Sequence, residues 1–167
     1  MGHTLGHTLS GANQEIPENL EYLVIYAKIG LLERNMKKKL LREGPYADFF
    51  SQGVQTGNIL TLAGQLGDDL EGNVSNGLLS QMDNCYKNIE IILKEFNASL
   101  DNIIDETWFV TNIEECMTNV GEIFDSREKI YGCKPEVSQT LIGVSALVDP
   151  KYKIEIKCIA YLDKVEE

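Results

Sequence analysis

The segment Tyr152-Lys-Ile-Glu-Ile-Lys-Cys-Ile-Ala-Tyr-Leu162 alternates apolar and mixed positions along its length. Side chains of a β-strand point to opposite faces with a period of two. Ile154, Ile156, Cys158, Ala160 and Leu162 therefore share one face. Lys153, Glu155, Lys157, Ile159 and Tyr161 share the other. A long strand with one apolar face needs a layer to cover it, and the segments upstream supply helices of the right kind.

Leu78–Phe96 places Leu78, Leu79, Met82, Cys85, Tyr86, Ile89, Ile92, Leu93 and Phe96 at steps of three and four, the period of an amphipathic helix. Its other face carries Gln81, Asp83, Lys87, Glu90 and Lys94. Ile113–Ile130 repeats the pattern and stops at Gly132 and Pro135. Ser51–Gln55 and Ile59–Gln65 read as strands joined by a tight turn at Thr56-Gly57-Asn58. Ile103–Val110 and Thr140–Val144 read as two more strands. The order strand, strand, helix, strand, helix, strand, strand predicts an α+β domain: one sheet with two helices on one face. The opposite face keeps Ile159, Tyr161 and, by this reading, Trp108. Such a half-apolar face is expected to be covered by other subunits.

Before this domain lie residues 1–19, read as a flexible tail, and an extension over residues 20–43. In the extension Leu20–Leu32 is an apolar run fit for a packed strand or short helix, followed by the cations Arg34 and Lys37–Lys39. The domain proper spans 44–162, and residues 163–167 form a C-terminal tail. His3 and His7 have metal-compatible spacing, but the surrounding glycines oppose a helix there, so no metal is expected. The N-terminus lacks the basic and apolar regions of a secretory signal. The four separated cysteines then read as reduced thiols and the location as cytoplasmic.

Charge narrows the function. The 167 residues carry a formal net charge of −11. Residues 45–162 alone hold eight basic and 18 acidic groups, a net −10. Nucleic-acid binding draws mainly on cations that neutralise phosphates, so this domain has the wrong sign for it. No histidine lies beyond residue 7, which excludes His-assisted nucleophiles within the domain. Zinc spacings and phosphate-cradling glycine motifs are also absent from the sequence. A small-molecule pocket built from a carboxylate, amides, hydroxyls and backbone groups remains.

Five runs then fall in order: Gly44-Pro45-Tyr46, Phe50-Ser-Gln-Gly-Val54, Gly57-Asn58-Ile-Leu60, Ala63-Gly64-Gln65 and Ile154-Glu155-Ile156. Together they resemble the RidA/YjgF family, also called endoribonuclease L-PSP or translation initiation inhibitor. The resemblance covers residues 44–162 and implies a chorismate-mutase-like fold. It also implies a homotrimer with clefts between subunits, and cofactor-free hydrolysis of reactive enamines and imines to carbonyl compounds and ammonia. In that scheme a glutamate on the last strand handles the water, and Glu155 falls on it. An arginine grips the substrate carboxylate. Aligned on Ile142-Gly-Val144 that position is Gln139; aligned on Pro135 it is Val137. Tyr46 keeps its match, with Phe50 a second candidate for the space it fills. Ala63 replaces a usual serine, and Asn119 matches a helix asparagine. A non-catalytic, ligand-binding or regulatory trimer and an endoribonuclease or translation inhibitor are the alternatives to the hydrolase.

Overall fold

A computed structural model describes residues 23–25, 28 and 37–162. The chain divides into two compact units, residues 1–36 and 37–167. In the first, Leu23–Ile25 and Lys28 are helical and exposed. The N-terminal tail, the His3 and His7 pair, most of the apolar run and residues 163–167 lie outside the described residues.

The second unit is one seven-stranded sheet with its helices on one side. The strands are β1 (Lys39–Leu41), β2 (Gly53–Thr56), β3 (Ile59–Leu62), β4 (Gln65–Leu66), β5 (Ile103–Val110), β6 (Ser138–Gly143) and β7 (Ile154–Tyr161). The helices are α1 (Leu78–Glu95), α2 (Ile113–Thr118) and α3 (Val120–Tyr131). The sheet order is β1-β2-β3-β7-β5-β6, with β4 also on β7. Only β5 and β6 run parallel, and α2 and α3 form the crossover between them. This is the expected α+β architecture of the chorismate-mutase-like type.

The sheet starts before Gly44, because β1 pairs with β2 through Lys39↔Gln55 and Leu41↔Gly53. Lys39 is not merely a solvated charge. Its Nζ donates to the Glu95 carbonyl at 2.7 Å and lies 4.7 Å from the Phe96 ring centroid. A cation there satisfies a free carbonyl at the negative end of the α1 dipole. The β2–β3 hairpin turns at Gly57-Asn58, where Gly57 takes a φ of 59°, accessible to glycine at little cost.

The strand read as continuous over Ile59–Gln65 is broken. Thr61 pairs with Ile159 of β7, whereas Gln65 pairs with Ile156. Four residues on one strand thus span three on the other, so Ala63-Gly64 is a bulge. Bulges bend a strand and re-aim its side chains.

Ile154, Ile156, Cys158 and Ala160 are buried against α1 residues such as Met82, Cys85, Ile89 and Leu93, as the alternation requires. Trp108 corrects the expectation. It pairs with Ile156 and is 1% exposed, so it belongs to the helix-covered face. Gln81 also departs from its predicted solvent face. Buried, it donates to the Ser75 and Lys151 carbonyls at 2.9 and 3.0 Å and accepts from the Lys153 amide at 2.7 Å. The single helix expected over 113–130 breaks at Asn119, which ends α2 and begins α3.

Candidate functional site

The open face of the sheet is set by the register. Glu155 stands opposite Phe109 of β5, which stands opposite Ile142 of β6. The next row is Lys157, Thr107 and Thr140, and the row after is Ile159, Asp105 and Ser138. Glu155 therefore lies on the face that the β7 alternation predicts, away from the helices.

Its carboxylate rests on the bulge. A Cβ placed on Gly64 would lie 1.8 Å from Glu155 Oε1 and 2.6 Å from its carboxyl carbon. Only a residue without a side chain lets the carboxylate sit there, so the Ala-Gly-Gln and Ile-Glu-Ile runs are two halves of one feature. Gln65 holds the bulge in shape: its Nε2 lies 2.9 Å from the Ala63 carbonyl, 3.3 Å from that of Gly64 and 3.2 Å from Gln52 Oε1. Behind it, α1 amides fasten the following loop. Asn88 donates to the Leu66 and Asp68 carbonyls at 3.1 and 3.0 Å, and Asn84 to that of Gly67 at 3.4 Å.

Burial raises the Glu155 pKa from its ordinary 4.5, and the positive charge of Lys157 partly offsets this. No hydrogen bond from the described residues stabilises the ionised form. A half-buried carboxylate without a donor is matched to accepting a proton. Lys153, its other lysine neighbour in sequence, is taken up by Glu115 at 2.6 and 2.9 Å.

The other sequence-predicted residues divide. Ala63 lies in the bulge, its amide donating to the Gln52 carbonyl at 2.9 Å. Tyr46 is exposed and stacks on Phe50 with centroids 5.9 Å apart. Burial raises the pKa of Tyr152, and nearby Asp68, Asp149 and Tyr46 add to the shift. That brings Tyr46 towards the end of the sheet where β7 begins. Asn119 is spent locally, its Nδ2 donating to the Glu115 carbonyl at 2.8 Å.

Gln139 does not join Glu155 within the chain. It pairs with Glu106, two residues from Trp108 on the helix-covered face, and its buried Nε2 has no partner. That face holds a polar cluster missed by the sequence reading. Glu106 is wholly buried and meets Arg127 Nη2 at 2.8 Å and Nε at 3.1 Å. The Tyr86 hydroxyl (3.1 Å), the Trp108 indole (3.2 Å) and the Tyr131 hydroxyl complete its shell. The parity of Glu106 with Trp108 and Val110 along β5 was the available signal.

A cleft of about 400 Å³ opens between α1 and α3 beside Tyr86, Lys87 and Lys129, but it contains none of the six candidates. Among the described residues no group of His, Cys, Asp or Glu could hold a metal, and no helix is long and apolar enough to cross a membrane.

The fold and the paired Gly64–Glu155 runs define a class, and comparison with known proteins agrees. The endoribonuclease L-PSP family matches residues 42–162, so the chain belongs to that family, the RidA/YjgF group. A RutC family protein of Aquifex aeolicus is 30% identical over 118 residues, covering 70% of this chain and 89% of the relative. The RutC family protein YjgH of Escherichia coli is 27% identical over 131 residues, covering 78% and 96%. Among solved structures, Rv2704 of Mycobacterium tuberculosis, a YjgF/YER057c/UK114 family member, superposes with a TM-score of 0.63 at 22% identity over 75% of this chain and all of that one.

Proposed function

We propose that this chain hydrolyses reactive enamines or imines, with Glu155 as the general base. The observation that carries the reading is the Glu155 carboxylate seated on Gly64, half-buried and without a donor. In the proposed step Glu155 takes a proton from water as the water oxygen bonds to the imine carbon. The carbinolamine formed then passes protons to its nitrogen, the C–N bond breaks, and carbonyl compound and ammonia leave. Water supplies the oxygen and no electrons are exchanged, so the step needs no redox cofactor.

Assembly is part of the reading. Leu40, Ile59, Ile142 and Tyr161 are 38–48% exposed on the open face. A second and third copy covering them would enclose Glu155 in a cleft between subunits, in a homotrimer. A second reading, a ligand-binding or regulatory trimer without turnover, is favoured by one observation. The arginines among the described residues are engaged elsewhere: Arg127 with Glu106 and Arg42 with the Ala47 carbonyl. A nuclease reading has less support, given the −10 charge of residues 45–162 and the absence of histidine there.

The test generates imines in situ with an amino-acid oxidase and follows their decay. The native protein is expected to accelerate decay, and Glu155→Gln to lose about 100- to 10,000-fold, the usual range for a general base. The rate should fall on acidification through a pKa above 4.5, as the carboxylate gains its proton. Binding of a keto acid without any acceleration would instead favour the non-catalytic trimer.

A further inference from the structure

The family's scheme calls for a cation against the substrate carboxylate, and the fold carries Gln139 to the wrong face for that task. The open face has its own cation. Lys157 follows Glu155 by two residues on β7, so the two side chains emerge on one face about 7 Å apart. Across the sheet, Lys157 faces Thr107, and Thr107 faces Thr140. Directly opposed residues on neighbouring strands stand about 5 Å apart. An ammonium and two hydroxyls thus form one row beside the Glu155 row.

None of the three is used up within the chain. The ion pairs among the described residues are Arg127–Glu106 and Lys153–Glu115, and Lys157 is in neither. Open-face hydroxyls that do form side-chain hydrogen bonds are those of Thr61 and Tyr161, not of Thr107 or Thr140. Lys157 is exposed, Thr140 is exposed, and Thr107 is half-buried. A solvated lysine on a strand needs no explanation. One flanked by two uncommitted hydroxyls, next to a half-buried carboxylate without a donor, forms a graded site: anion-binding at one row and proton-accepting at the next.

We propose that Lys157, with the Thr107 and Thr140 hydroxyls, seats the anionic end of the substrate and determines its specificity, the charge coming from β7 rather than β6. The substrate class is a small imine or enamine bearing a carboxylate beside the C=N carbon. With the carboxylate on the Lys157 row, the imine carbon and its water lie over Glu155. An ammonium is a point charge, whereas a guanidinium is a planar two-pronged donor. The hydroxyls supply the second and third hydrogen bonds that lysine alone cannot direct. The assignment of a substrate rests on the hydrolase reading, but the anion seat does not.

The experiment therefore measures binding apart from turnover. Full-length protein is titrated with 2-oxobutyrate and with butanone, its neutral counterpart, by NMR. The native protein should bind 2-oxobutyrate at least about tenfold more tightly than butanone, the range for hydrogen bonds to a charged group. Lys157→Gln should remove that preference and Lys157→Arg should restore most of it, with the fold checked by circular dichroism. In the imine assay Lys157→Gln should lower the ratio of anionic to neutral substrate turnover by a similar factor. Equal binding of the two probes by native protein, or 2-oxobutyrate binding unchanged in Lys157→Gln, overturns the seat. Absent turnover with an intact, Lys157-dependent binding preference overturns the hydrolase reading and leaves the seat standing.

Discussion

The two faces of the sheet treat a glutamate in opposite ways. On the helix-covered face Glu106 is wholly buried, paired with Arg127 and surrounded by donors from Tyr86, Trp108 and Tyr131. On the open face Glu155 is half-buried and no donor reaches it. Burying a charge is tolerated where partners replace water, and it raises the pKa of a carboxylate where they do not. The first carboxylate is fixed as part of the core. The second is left able to exchange a proton with something from outside the chain.

Arg127→Met breaks the first half of this contrast and has the largest expected effect on the fold. It strands Glu106 without its charge partner, a loss of about 3–5 kcal/mol in urea unfolding. Glu106→Gln combined with Arg127→Met should recover part of that loss, because no unpaired charge then remains buried.

Gly64→Ala breaks the second half. Its Cβ can be accommodated only if the Glu155 side chain swings away. A displacement of about 1 Å costs about 100-fold in rate, or ~2.7 kcal/mol of barrier. Its stability should change less than that of Gly67→Ala. At Gly67 the added Cβ meets Gln81 Cα at 2.7 Å and its carbonyl at 2.8 Å, and backbone cannot swing aside. Paired activity and unfolding measurements on the two variants separate a functional glycine from a structural one.

The smallest effect sharpens the comparison rather than breaking it. Glu155 has a folded-state pKa raised by burial. The folded protein then binds that proton more tightly than the unfolded chain, and stability declines as pH rises from the ordinary carboxylate value through the raised one. Glu155→Gln removes this decline. It should unfold at the same or a higher denaturant concentration than native protein at pH 7, with the advantage shrinking at pH 4. A variant that gains stability while losing turnover marks a group kept for chemistry.

The sequence made one half of the site readable and hid the other. The β7 alternation placed Glu155 on its face because eleven residues carry the pattern, enough to fix parity. β6 is six residues long, with Ser138, Gln139 and Thr140 at its start, none apolar. Nothing in that run tells which face each takes, and the register with β5 settles it only in the folded sheet. Glu106 and Arg127 escaped for another reason. Each looks like an ordinary surface charge in its own element, and the 21 residues between them hide that they meet. Gln81 failed similarly: its partners lie on loops at Ser75 and Lys151, whose positions no helical period encodes. Lys157 was visible as a neighbour of Glu155, but its row with Thr107 and Thr140 exists only once three strands are in register.

The side-chain amides of Asn84 and Asn88 give the bulge a property that its own short sequence cannot. They tie the carbonyls of Leu66, Gly67 and Asp68 to the middle of α1. The loop next to the candidate base therefore shares the opening free energy of the longest helix rather than that of a surface turn. A ligand arriving there meets groups already in place, and the ordering that binding would otherwise demand has been completed during folding.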